Sequence, residues 1–296
     1  MAGGIYSEIR TALGNLKPSE VRALAERRLA VGLAASSRER YAEMEEWLAP
    51  PDASEARRAE TLRTLYRMEE DDEAGRFDVA LCEEELLGPP EAFRFYRGDV
   101  RRTVREVLDA RPDLELALAR NFAVFRRPAI GRMVRRIAWE NAMFALVTAL
   151  PDVVPSLAEA PWAVGEYASD TAFLTMNQVR MAFLIAAASD RAVGYREQRG
   201  QIAAIVGGAV GWRGLARELA GKIPFGGGLI PKAAIAYAGT YTVGVGLERF
   251  YRLGSGLTRQ ERREIYERAL KRGREMVRAL VELRRGAEEP PGLAAP

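Results

Sequence analysis

Ser169-Asp170-Thr171-Ala172-Phe173-Leu174-Thr175-Met176-Asn177-Gln178-Val179-Arg180-Met181-Ala182-Phe183-Leu184-Ile185-Ala186-Ala187-Ala188 places apolar residues on every side of a helix. Its polar members Thr175, Asn177, Gln178 and Arg180 do not share one face. A helix that is apolar nearly all round is buried, and each polar side chain inside it needs a partner or costs roughly 1–3 kcal/mol. These four residues therefore read as connectors that fix neighbouring helices. Asp170 and Arg180 lie too far apart along one helix to meet, so their partners must come from other elements.

Two further apolar segments follow. Gln201–Trp212 and Leu229–Gly246 are rich in small residues, and Ala234, Ala238, Thr242 and Gly246 recur every four positions. That spacing lets helix backbones approach closely, in membranes and in tight soluble cores alike. The charge-free runs Gly200–Trp212 and Ala233–Leu247 fall short of the ~18 apolar residues a spanning helix needs, which favours a buried core or shallow insertion. Gly254-Ser255-Gly256 leads into Thr258-Arg259-Gln260-Glu261, a capping-box pattern. Behind it Tyr266, Ala269, Gly273, Met276, Leu280 and Leu283 form a heptad-like seam, read as an antiparallel packing partner within the chain.

Toward the N-terminus the pattern is one of short helices. Pro18 opens the first, with Val21, Leu24, Ala25 and Leu29 as its stripe. Ser37 caps a second carrying Tyr41, Met44, Trp47 and Leu48, and Ser54 a third with Leu62, Leu65 and Tyr66 inward. Glu83-Glu84-Glu85 reads as the outer face of a helix between Leu81 and Leu86-Leu87. Asp99 and Asp113 cap two more helices, and Arg126-Arg127-Pro128 separates those from a helix through Ile137, Trp139, Met143 and Leu146. The predicted fold is all-α, a multi-helix bundle with a small-residue-rich apolar core. Gly88-Pro89-Pro90 marks the expected boundary between an N-terminal helical region, 1–90, and a helical domain, 91–285, before a disordered tail, 286–296.

Composition narrows the chemistry. The 296 residues include one cysteine, Cys82, and no histidine, so histidine-based catalysis and an intrachain disulfide are excluded. The first residues lack a basic region followed by an apolar one, as a secretory signal would have. A net charge of +3 conceals segregation: residues 1–96 hold 13 basic and 20 acidic groups, 97–136 hold 11 and 5, and 249–285 hold 12 and 5. Basic segments thus bracket the apolar block, and arginines beside apolar helices attract anionic lipid headgroups at roughly 1 kcal/mol per charge. A solvated face or a match to the acidic N-terminal third accounts for the same pattern.

No catalytic or ligand motif in the sequence is complete. Gly221-Lys222 is followed by Ile223 where a phosphate-binding loop needs Ser or Thr, and Ala216 stands where its first glycine belongs. Pro224–Pro231 is glycine-rich but reads as a turn between helices. The acidic run from Glu69 to Glu73 lacks the spacing of a calcium loop. No recognition motif for nucleic acid accompanies the arginines. No catalytic residue, metal, cofactor or small-molecule substrate is expected.

Leu174-Thr175-x-Asn177-Gln178-x-x-Met181, Gly207-Gly208, Arg213-Gly214-Leu215-Ala216-Arg217, Ile223-Pro224 and Lys232-Ala233-Ala234-Ile235-Ala236-Tyr237-Ala238-Gly239-Thr240 occur in that order. In these motifs the chain, from about Ala142 to Tyr251, resembles the YcjF-like family of helical domains. The resemblance implies a membrane protein, and in many members an Era-like GTPase domain precedes the helical one. The region before Ala142 shows no nucleotide-binding motif, so a GTPase partner would act in trans. Asp170 and Arg180 of the central helix, together with Thr175, Asn177, Gln178, Arg213, Arg217, Lys232, Gly239 and Thr240 from these motifs, are the candidate structural or interaction residues. The expectation is a non-enzymatic helical protein on the cytoplasmic face of a membrane, with anionic lipid as its partner. The alternative is a soluble cytoplasmic scaffold, homo-oligomeric or bound to another protein.

Overall fold

In the computed structural model, residues 2–69, 72–148, 170–208 and 229–288 are described. They form two compact units. One takes its residues from 18–132 and 184–194, the other from 1–17, 133–183 and 195–296.

The first unit is built on a parallel sheet. Val31–Ala34 (β1), Leu65–Arg67 (β2), Val79–Glu83 (β3) and Phe93–Phe95 (β4) lie in the order β2-β1-β3-β4. Val31 stands opposite Leu65 on one side and Val79 on the other, and Leu33 opposite Arg67 and Leu81. The helices of this unit include Pro18–Ala25 (α2), Arg38–Leu48 (α3), Glu55–Leu62 (α4), Val100–Ala110 (α5) and Glu115–Asn121 (α6). Leu33 and Leu81 are completely buried, as parallel strands covered on both faces must be. Trp47 on α3 packs at 5.1 Å from Phe95 and 6.0 Å from Phe125, which ties α3 to β4 and to the start of α7.

The fold class is therefore α/β, which corrects the all-α expectation. The four strands are three to five residues long, too short for alternation to register, and β1 and β3 are buried throughout. A short apolar run buried on both faces has the same residue pattern as a helix stripe. Accordingly Leu65 and Tyr66 belong to β2, not to the helix of Leu62, and Leu81 to Glu83 end a strand. Gly88-Pro89-Pro90 joins β3 to β4 inside one unit rather than dividing two.

Several local readings agree with the coordinates. Ser37, Ser54 and Asp99 each accept a hydrogen bond from the backbone N–H three residues on, capping α3, α4 and α5. Others do not. Asp113 sits in a single 3-10 turn, and α6 begins after Leu114 without a side-chain cap. Pro128 lies inside Ala123–Val147 (α7) as its sixth residue, so α7 continues through it while forgoing one backbone bond, to the Val124 carbonyl.

The second unit is helical. Ala2–Gly14 (α1), the later part of α7, most of Asp170–Ala188 (α8), residues 199–208 (α9), Leu229–Leu253 (α10) and Arg259–Glu288 (α11) contribute to it. Ala233, Tyr237 and Ala238 of α10 pack with Ala138, Ala142 and Leu146 of α7 and with Ala269 and Val277 of α11. α10 and α11 run antiparallel. At Gly273 an added Cβ would lie 3.3 Å from the Ala234 Cα, so the small residues of the seam set this approach. Gly254 closes α10 with φ of 74°, its N–H donating to the Phe250 carbonyl at 2.8 Å. Thr258 and Glu261 then form the capping box that starts α11. α11 extends to Glu288, so the first residues of the expected tail are helical, while 289–296 lie outside the described residues.

Candidate functional site

The chain leaves β1 through Ala35 and Ser36 and enters α3 at Ser37. This is the position where a parallel α/β fold points helix N–H groups at an anion. Here the anion is the protein's own. The Ser36 N–H donates to Glu83 Oε2 at 2.8 Å and the Ser36 hydroxyl donates to the same oxygen at 2.6 Å. Arg40 Nε lies 3.1 Å from the other oxygen, Oε1. Glu83, the last residue of β3, is buried. Burial raises its carboxyl pKa, but the two Ser36 bonds and Arg40 outweigh this and hold it below the usual carboxylate range. The carboxylate thus sits in the loop just before α3, bonded to Ser36 rather than to the N–H groups of the helix itself.

Beside it a cleft of about 1060 Å³ opens at the carboxyl ends of β1 and β2. Residues 34–36, 67–69, 72–75 and 86–91 line it. The lining is acidic, with Glu69, Asp72, Glu73 and Glu91 against Arg67. Asp72 accepts the Glu69 N–H, which with the Arg76 guanidinium at 2.6 Å holds its pKa below the usual carboxylate range. Gly88, in the lining, passes so close to Cys82 that an added Cβ would meet Sγ at 2.2 Å. The buried Cys82 thiol has its pKa pushed up by desolvation, the opposite of what a nucleophilic thiolate requires.

Those residues marked in the sequence that are described lie in the helical unit, and their polar members form two groups. In one, the Asn177 amide donates to Asn141 Oδ1 at 2.8 Å, the Asn141 amide donates to Thr240 Oγ1 at 2.8 Å, and Gln178 Nε2 donates to the same hydroxyl at 3.3 Å. Three helices, α7, α8 and α10, are thus joined by buried polar side chains. Thr175 turns back to the Thr171 carbonyl at 2.6 Å. In the other group Asp170 pairs with Lys232 at 2.5 Å, and Arg180 pairs with Glu140. Asp170 and Arg180 accordingly find their partners on other helices. Gly239 is buried within α10. Arg213 and Arg217 lie outside the described residues.

None of these groups is a catalytic constellation. Among the described residues no three His, Cys, Asp or Glu side chains stand where a metal ion could be held. Sequence reasoning passed over Ser36, Glu83 and the cleft. The signal was the apolar run Leu29–Ala35 ending on two serines, a strand followed by a helix cap. Comparison with protein-family models, curated proteins and solved structures returned no match to the chain.

Proposed function

We propose that this chain is a non-enzymatic protein that associates with the cytoplasmic face of a membrane through the outer side of α11. The observation that carries the reading is the charge of that side. Arg268, Lys271, Arg272, Arg274 and Arg278 are all exposed, with Glu275 the one acid among residues 268–278. The apolar side of α11 is already spent on α10, so attraction to anionic headgroups, roughly 1 kcal/mol per charge, would drive the contact. α8 is long and apolar enough to cross a bilayer, yet 72% of it is buried within the protein. That supports surface contact over crossing. The polar connectors between α7, α8 and α10 then serve to hold the bundle that presents α11.

Flotation with phosphatidylcholine vesicles, with and without phosphatidylserine, tests the reading. Binding should require phosphatidylserine, weaken with salt, and vanish in Arg268→Glu/Arg272→Glu/Arg278→Glu. A wild-type chain that ignores anionic vesicles at low salt overturns it.

One observation favours a second reading, a soluble scaffold for a GTPase in trans, in keeping with the YcjF-like resemblance. The α/β unit bonds its own carboxylate, Glu83, to Ser36 in the loop before α3, which leaves nucleotide chemistry to a partner. Vesicle binding that survives loss of the α11 charges would favour neither reading. Absence of vesicle binding together with a defined oligomer by light scattering would favour this one.

A further inference from the structure

We propose that α1 is a strap that detaches from the helical unit, with the Tyr195 hydroxyl as its latch. Opening uncovers the apolar face of Phe144, Phe173 and Met176. The strap holds to its unit by a narrow seam. Ile9 and Ala12 are buried, with Leu13 and Leu16 beside them, against Phe144, Ala172, Phe173, Met176 and Val206. Tyr6, Ser7, Arg10 and Thr11 face solvent. Beneath the seam the rings of Phe144 and Phe173 stack at 3.8 Å, so α7 and α8 form the covered face between themselves.

The sequence of α1 weakens the closed state. Its 13 residues include Gly3, Gly4 and Gly14. Glycine lowers helix stability, and packing does not demand it here, because a Cβ added at Gly4 or Gly14 would meet nothing within 4 Å. Glu8 Oε2 is buried and finds no hydrogen-bond partner among the described residues, a cost that opening removes.

Tyr195 opposes release. Its hydroxyl donates to the Leu13 carbonyl and reaches that of Leu16 at 3.1 Å, at the helix end where carbonyls lack later N–H groups. The ring stands edge-on to Phe183 at 5.3 Å, which fixes it against α8. Burial pushes the hydroxyl pKa up, so it remains a donor at neutral pH. An element with few buried contacts and one polar tether opens ahead of the core that it covers.

Hydrogen exchange of the full chain, read by mass spectrometry as protection relative to the intrinsic rate, tests this. Residues 6–14 should exchange through an opening about tenfold or more populated than any that exposes α8 or α10. Tyr195→Phe keeps the ring on Phe183 and should raise the open population about fivefold in α1 alone, and Gly4→Ala should lower it by a similar factor. Tyr66→Phe, at an exposed tyrosine of the α/β unit, should leave α1 unchanged. Uncovering is read separately, in a Cys82→Ala chain that carries Met176→Cys. Its thiol should react with a soluble disulfide reagent at a rate that follows α1 exchange and rises with Tyr195→Phe. If Met176→Cys misfolds, exchange in the otherwise natural chain decides alone. Residues 6–14 as protected as α8 and α10, or wholly unprotected, overturn the strap. Tyr195→Phe that leaves α1 unchanged, or deprotects α8 and α10 equally, overturns the latch. A thiol that reacts only on global unfolding overturns the uncovering of the face.

Discussion

The Asn177 amide donates to the Asn141 side-chain oxygen at 2.8 Å, and both residues are almost wholly buried. Asn141 in turn donates to Thr240, so the bond is one link between three helices. Asn177→Leu leaves the Asn141 oxygen without this donor in an apolar setting. It should lower unfolding free energy by roughly 1–3 kcal/mol, read from the urea midpoint. Removing both amides should cost less than the sum of the single changes, because the second has no partner left to strand.

Glu83→Gln keeps the shape of the side chain and removes its charge. It should destabilise the α/β unit by roughly 2 kcal/mol in denaturant unfolding, since two donors and Arg40 lose an ionised acceptor. The pH dependence follows in sign. The folded pKa lies below the unfolded value near 4.5, so the contribution is complete above about pH 4.5 and is lost as pH falls through the lower folded value. In Glu83→Gln that part of the acid sensitivity should be absent.

Glu261 gives a second acid-sensitive point, in the helical unit. Its bond from Arg249, then those from the Thr258 N–H and hydroxyl, hold its pKa at about 2 against an ordinary 4.5. Stability from the turn between α10 and α11 is therefore present above about pH 4.5 and lost as pH falls toward 2. Protection of the amides in the first turn of α11, taken relative to the intrinsic exchange rate at each pH, should fall in that window, and Glu261→Gln should show the reduced protection already at neutral pH.

Gly244→Ala sets two effects against each other. Alanine gains up to about 1 kcal/mol over glycine in a helix. An added Cβ, however, would lie 2.6 Å and 2.7 Å from the two Val134 methyl carbons and 3.0 Å from Met181 Sδ. Val134 is β-branched on a helix and cannot swing aside, so overpacking of about 1–3 kcal/mol should win and the melting temperature should fall.

The helical half was legible because its signals are local. A capping box, a seam with Ala269 and Gly273, and polar residues spread round α8 each report their own surroundings. The partners of Asp170 and Arg180 were not legible, because Lys232 and Glu140 sit 62 and 40 positions away. The sheet was missed for the same reason. β1 pairs with β2 and β3 through contacts 34 and 48 residues apart, while each strand alone is too short to carry a period. Glu83 opens the run Glu83-Glu84-Glu85, which alone reads as the outer face of a helix, and only the neighbouring strand reveals that Ser36 faces it.

The α/β unit draws on residues 184–194 as well as 18–132. Arg57 and Arg120 both reach Asp190, at 3.2 and 3.3 Å, and Arg126 donates to the Ala188 carbonyl at 2.9 Å. Asp190 holds a left-handed backbone with φ of 56° there. A ribosome must therefore deliver well over half the chain before the sheet unit can close on its last contacts. By the same token, a protease cutting once after residue 132 would release neither unit whole.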